Sequence, residues 1–320
     1  MSATGAAAIS ARGLVVEYRT PTGVLRAVDG VDLTIERGEV YALLGENGAG
    51  KTSTVEVLEG HRRRVAGEVS VLGHDPAVGG AAGRVLRDRI GIVLQSSGVE
   101  SELRVAEAVS LYGSVYRSPR SVDDVLELVD LTASASVRVD TLSGGQRRRL
   151  DMALGIVGRP EVLFLDEPTT GFDPSARRRA WDLVRALCSD GTTVLLTTHY
   201  LDEAEHLADR IGVMSRGRIV LEGTPDDIRS RSSHGRVVVR LDGPDTHVVV
   251  EAVSGLHDGM EVVGSQHVFS SVNVADLVAA LVGAAGRHGV TLDDWEISAP
   301  SLEDAFIDLM SDEHAGGDHG

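Results

Sequence analysis

Short apolar runs alternate with helical patterns from residue 10 to residue 222. That order is expected of an α/β protein built on a largely parallel sheet. The pattern predicts strands at Glu39–Leu44, Gly91–Leu94, Glu161–Leu165 and Thr192–Thr197, and a closing hairpin of Arg210–Met214 and Arg218–Glu222 around Ser215, Arg216 and Gly217. EVLFL and TTVLLT are nearly continuous apolar runs, as in strands covered on both faces. Between Ser101 and Gly158 the pattern turns helical. Leu103, Val105, Val109 and Tyr112 recur at helical spacing, and Ser121 with Asp124 forms a capping-box pattern ahead of Val125, Leu126 and Val129. A helical subdomain inserted between two strands follows.

Gly223–Gly235, GTPDDIRSRSSHG, reads as a helical turn followed by a linker. Beyond it RVVVRL, THVVVEAV, a helix over Val274–His288, VTLDDWEIS and a closing helix Ser301–Met310 suggest a small α+β domain. The expected organisation is a first domain over residues 1–229, a second over 230–310 and a disordered tail at 311–320, whose two histidines read as solvated.

Charge sharpens this division. The net charge is −17, and from residue 231 onward 15 acids face 4 arginines, so −11 of the total lies on the second domain and the tail together. Such a balance, with 3% aromatic residues, argues against gripping nucleic-acid phosphates or stacking bases. A single cysteine, Cys188, allows no internal disulfide and fits a reducing compartment. The most apolar tract, Val272–Ala285, contains Asp276 and is too short to span a bilayer, and MSATGAAAIS has no signal-peptide pattern. A cytosolic location is expected.

Of the 31 Lys and Arg residues only Lys51 is a lysine. It stands in GENGAGKTS, Gly45–Ser53, which matches G-x-x-x-x-G-K-[ST] between a predicted strand and a helix. Gly45, Gly48 and Gly50 let backbone N–H groups turn inward around an anion, and the helix N-terminus adds its dipole. Lys51 supplies a compact ammonium for the β and γ phosphates, which the planar fork of arginine does not replace. Thr52 presents a hydroxyl to Mg²⁺ and Ser53 one to phosphate. The strand in EVLFLDEP delivers Asp166 and Glu167 to the same sheet edge, as a metal-linked aspartate and a general base for water.

Between these two elements lies TLSGGQRRRLDMALGIV, and here the chain resembles the ATP-binding-cassette ATPases, whose LSGGQ signature stands intact at Leu142–Gln146. The resemblance covers about residues 10–228. It implies a P-loop NTPase cassette with a RecA-like core, an antiparallel β subdomain and the inserted helical subdomain. It also implies a nucleotide site drawn from Tyr18, which would stack on adenine, and from Gly45, Glu46, Asn47, Gly48, Ala49, Gly50, Lys51, Thr52 and Ser53. On its own Tyr18 reads equally as a cross-strand packing residue. Gln95 resembles the glutamine that senses Mg²⁺ and the attacking water, Asp173 in GFDP the D-loop aspartate, with Phe172 in place of the usual leucine, and His199 the switch histidine that contacts the γ-phosphate. Glu167, His199, Gln95 and Asp173 form the implied catalytic set, and Thr52, Gln95 and Asp166 the implied metal set.

Ser143 can cap the following helix, with Gly144 and Gly145 exposing its first N–H groups as a second anion site and Gln146 beside them. In the family that site reaches the γ-phosphate of a second subunit, which implies a second ATPase copy, simplest as a homodimer. The run Arg147–Arg149 reads as a solvated helix face with one or two interfacial members. TVEVLEG, the long stretch from the signature to GFDP, and the terminal PSLEDAFIDLM resemble the drug-exporting branch typified by daunorubicin-resistance ATPases. That branch implies separate ABC-2-type membrane subunits and a peripheral location on the cytoplasmic face of the cell membrane. An importer ATPase would carry the same motifs, whereas soluble cassette proteins usually have two cassettes or long coiled coils.

Overall fold

The computed structural model describes residues 7–21, 23–94, 98–231, 235–298 and 301–306, in two compact units, Met1–Thr224 and Pro225–Gly320. In the first unit β1 (Ile9–Thr20) pairs antiparallel with β2 (Gly23–Ile35). Next come β3 (Val40–Leu44), α1 (Lys51–Leu58), β4 (Ala66–Val71), α2 (Gly80–Arg87) and β5 (Ile90–Val93). The helical region holds α3 (Val105–Gly113), α4 (Val122–Leu128) and α5 (Gly144–Ile156). After it come β6 (Val162–Asp166), α6 (Pro174–Ser189), β7 (Thr193–Thr198), α7 (Leu201–Leu207), β8 (Arg210–Ser215) and β9 (Arg218–Gly223).

The main sheet has six strands in the order β5-β6-β7-β3-β8-β9, parallel except for β9. Every residue of β3 and β7 is buried, as sequences apolar on both faces require. Because the strands are parallel, the carboxyl ends of β3, β6 and β7 share one edge: Leu44 pairs with Thr198, and Asp166 with Thr197. Ligands of such sheets bind outside that edge. Arg216 and Gly217, both at positive φ, turn the β8–β9 hairpin.

A three-stranded sheet, β2-β1-β4, lies over α1, its inward residues Ile9, Leu14 and Val16 sharing a core with Val55 and Leu58. α3 starts two residues later than Leu103. The Glu107 carboxylate accepts the Arg104 N–H at 2.9 Å and fixes Arg104 as the cap, so Leu103 precedes the helix. Ser121 caps α4 by accepting the Asp124 N–H at 3.1 Å.

The second unit contains α8 (Pro225–Arg229), β10 (Gly235–Asp242), α9 (Thr246–Ala252), β11 (Gly259–Val263), β12 (Gln266–Ser271), α10 (Val274–His288) and β13 (Thr291–Ser298). Its sheet, ordered β11-β12-β10-β13, is antiparallel throughout. Val237, Val239, Leu241 and Phe269 bury against Leu277, Leu281 and Ala284 of α10. THVVVEAV forms a helix in spite of three consecutive valines, its Val249 seated in this core, so packing overrides propensity. Strands β11 and β12 have no counterpart in the sequence-based expectation. All five residues of β11 are exposed, so no apolar alternation marks it. Asp276 stands in the first turn of α10, where its N–H donates to Asn273, the cap. The expected tail 311–320 and residues 307–310 of the closing helix lie outside the described residues. Among the described residues no helix is long and apolar enough to cross a membrane.

Candidate active site

The loop after β3 is fixed from behind by the β8–β9 hairpin. The Gly217 N–H donates to the Ala49 carbonyl at 2.9 Å. A Cβ on Gly45 would stand 2.3 Å from the Met214 carbonyl oxygen, and one on Gly50 2.4 Å from that of Ala27. Gly48 and Gly50 adopt positive φ, +84° and +106°. Gly50→Ala therefore combines strain with a main-chain clash. It is expected to cost about 2–4 kcal/mol and to abolish ATP binding, read by thermal denaturation alongside a nucleotide titration.

Gly50 ends the loop as the cap of α1, and Lys51, 6% exposed, points its ammonium back over the turn. Nζ donates to the carbonyls of Gly45 at 2.6 Å and Glu46 at 2.9 Å. Burial lowers the Lys51 pKa from its ordinary value, while Glu167, Asp166 and Glu46 act against that. Thr52, Glu46, Asn47 and Gly48 are exposed, while Gly45, Ala49 and Ser53 are buried. Ser53 Oγ lies 2.7 Å from the Tyr18 hydroxyl, and the Arg62 guanidinium sits 4.5 Å from the centre of the Tyr18 ring. Tyr18 thus joins the loop through Ser53 and carries a cation on one ring face.

At the end of β6, Asp166 Oδ1 accepts the Thr197 hydroxyl at 2.5 Å. Glu167 has φ +47°, unusual for a residue with a side chain. Its N–H donates to the Thr197 carbonyl at 3.1 Å, Oε1 stands 3.0 Å from His199 Nδ1, and Oε2 accepts from Thr170 at 3.3 Å. One edge of the sheet therefore gathers an ammonium, two carboxylates and an imidazole. Among the described residues no group of three or more His, Cys, Asp or Glu forms a metal cage. A hydroxyl and one carboxylate, Thr52 and Asp166, still suit Mg²⁺, which takes few protein ligands and fills its shell with water and phosphate oxygens.

Ser143 caps α5: its Oγ accepts the Gln146 N–H at 3.3 Å, and Gln146 Oε1 accepts the Ser143 N–H at 3.0 Å. Gln146 also donates to Ser134 at 3.2 Å, so its side chain is held within the helical region. Gly144 and Gly145 border open space. Asp173 caps α6, accepting from the Ser175 N–H and hydroxyl and the Ala176 N–H, which hold its carboxyl below the usual range. Phe172 is buried. Gln95 lies outside the described residues.

The family description "ABC transporter" matches residues 28–170. The daunorubicin resistance ATP-binding protein DrrA3 of Streptomyces coeruleorubidus is 40% identical over 299 residues, 91% of this chain and 93% of that protein. The chain belongs to the ATP-binding subunits of ABC transporters. The Nod factor export ATP-binding protein I of Rhizobium sp. (strain N33) is 36% identical over 291 residues, 89% of this chain and 92% of that protein. Among solved structures, cbiO1 of Clostridium perfringens, part of the transporter complex cbiONQ, is 28% identical with TM-score 0.62 over 71% of this chain and 92% of that one. The cassette MJ0796, in a dimeric post-hydrolysis state bound to ADP and phosphate, shares the fold at TM-score 0.63 and 24% identity, over 68% of this chain and 98% of that one.

Two features of this ABC ATPase escape a linear reading. The run Arg147–Arg149 is not a solvated face. Arg147 donates to the Val99 carbonyl at 3.1 Å and Arg149 to Asp130 at 2.7 Å, while Arg148 is 7% exposed. The helical period carries the signal, since Arg148 shares a face with the buried Asp151, Met152 and Gly155. Glu59, just past α1, is 7% exposed, and its Oε2 lies 3.2 Å from His61 Nδ1. Burial, with Asp166 and Glu56 adding to it, pushes its carboxyl up to about 8 from the usual 4.5. The folded chain therefore holds this proton more tightly than the unfolded one. The resulting stability is complete below pH 4.5 and lost as pH rises through about 8. Glu59→Gln should leave the melting temperature nearly unchanged at pH 4 and stabilise the protein by about 2–4 kcal/mol at pH 9. Denaturation at the two pH values reads this difference.

Proposed function

We propose that this ABC ATPase powers export of a drug, antibiotic or lipid-like compound through separate ABC-2-type membrane subunits, from the cytoplasmic face of the cell membrane. The observation that carries the reading is the 40% identity to a daunorubicin resistance ATP-binding protein across nine-tenths of both chains. The Nod factor export relatives support export as the common direction.

At the site, the loop from Gly45 to Ser53 cradles the phosphates of ATP, Lys51 neutralises the β and γ positions, and Tyr18 supports the base. Mg²⁺, when bound, neutralises charge developing between the β and γ phosphates, and Thr52, Asp166 and Gln95 are the residues that would hold it. Glu167 takes the proton of the attacking water, His199 orients Glu167 and faces the γ-phosphate, and Asp173 lies at the entry of α6. Ser143, Gly144, Gly145 and Gln146 serve the ATP held by a second copy, so that two nucleotides lie between two chains. Closure of that pair passes through the helical subdomain to the membrane subunits, and hydrolysis resets it. The second domain, assigned to residues 230–310, stabilises or regulates this assembly.

Affinity purification of the tagged chain from solubilised membranes of its source tests the transport reading. An ABC-2 permease as the co-purifying partner supports it. A permease that works with a substrate-binding protein overturns it in favour of import.

A further inference from the structure

The side chain of Arg148 is buried in the first unit, and its hydrogen bonds run to main-chain carbonyls. Nη2 donates to the carbonyls of Asp166 and Glu167, both at 2.7 Å, and Nε to that of Pro168 at 3.0 Å. Nη1 donates to the carbonyl of Leu94, the residue after β5. Three successive carbonyls thus converge on one guanidinium. Carbonyl dipoles aimed at a common point repel one another, and a cation at that point reverses the sign of the energy. The convergence is possible because Glu167 adopts φ +47°, a conformation that persists where its surroundings over-determine it. The Thr197 contacts fix the N–H side of Glu167, and Arg148 fixes its carbonyl side.

We infer that Arg148 is a positioning residue for hydrolysis: from the signature helix it holds the Asp166–Pro168 backbone in the strained turn that aims the Glu167 carboxylate. The inference rests on the reading of Glu167 as general base and adds to it. Arg148 acts through the peptide units on either side of Glu167, to whose carbonyls its Nη2 donates. It also joins α5, which Ser143 caps, to the end of β6, so one side chain ties the signature segment to the turn that carries Glu167 in its own chain. The planar fork is needed for this, because its N–H groups diverge toward carbonyls at the ends of two strands, β5 and β6. A lysine ammonium in the same place can satisfy some of them but cannot span all four.

The test uses the full chain with Arg148→Met, Arg148→Lys and Arg148→Gln, each measured for melting temperature, ATP affinity by fluorescent-nucleotide titration, and steady-state hydrolysis. Misplacing a reacting group by about 1 Å costs on the order of 100-fold. Arg148→Met should accordingly lower kcat by about 10- to 100-fold with ATP affinity within about threefold of wild type, and Arg148→Lys should recover part of the loss. Should the Met variant fail to fold, Arg148→Gln, which keeps a buried donor, carries the same expectation. In a Glu167→Gln background the Arg148 substitution should add no further loss, because both act on one step. Turnover within twofold of wild type in the folded Arg148 variants overturns the inference. So do a loss of ATP affinity that matches the loss of kcat, and an additive loss on top of Glu167→Gln. Wild-type turnover in Glu167→Gln alone removes the base itself, a failure seen in that single variant before any Arg148 result.

Discussion

Glu167→Gln is expected to lower ATP turnover by about 10²- to 10⁴-fold while leaving ATP binding intact, the usual scale for a lost general base. Glutamine keeps the shape of the side chain and can still accept from Thr170, which lies 3.3 Å from Oε2 in the native protein. It cannot take a proton from water. The backbone contacts of residue 167 to Thr197 and Arg148 do not involve the side chain, so the substitution should not disturb the turn. Single-turnover hydrolysis together with an ATP titration separates the two effects. A variant that hydrolyses at the wild-type rate would take Glu167 out of the base role.

Lys51→Ala should act on binding instead, by removing the ammonium from the β and γ phosphates and weakening ATP affinity by about 100-fold, the scale of one or two charge-assisted hydrogen bonds. Lys51→Arg should not restore binding. Lys51 is 6% exposed and its ammonium donates to the Gly45 and Glu46 carbonyls at 2.6 Å and 2.9 Å, and the longer, planar fork of an arginine cannot reproduce that compact geometry. Equilibrium titration with ATP under non-hydrolysing conditions reads both variants. An Arg variant that binds like wild type would show that charge alone suffices there.

The parallel core was legible because β6 and β7 are apolar without alternation and each ends on chemistry, Asp166 with Glu167 and then His199. Their predicted ends differ from the observed ones by a single residue, for instance Glu161–Leu165 against Val162–Asp166. The phosphate loop was legible because a lone lysine stands in a glycine frame that the fold needs. Other features are invisible in one dimension. β11 buries nothing and so carries no pattern, and THVVVEAV is helical only because of what it packs on. Arg148 looked like one of three surface charges, and its burial depends on carbonyls at the ends of two strands that are distant in sequence. The left-handed turn at Glu167 also has no glycine to announce it. These are tertiary facts, set by neighbours rather than by local composition.

The signature Leu142–Gln146, with Ser143 capping α5, is expected to complete the ATP site of a second copy. The mass of the Glu167→Gln chain in solution, measured by light scattering with and without ATP, tests this most directly. ATP should double the mass, and adding Ser143→Arg, which places a bulky cation where Ser143 caps α5, should abolish the doubling while single-chain ATP binding persists. A mass that stays that of one chain at saturating ATP, or one that doubles equally with Ser143→Arg, would contradict it.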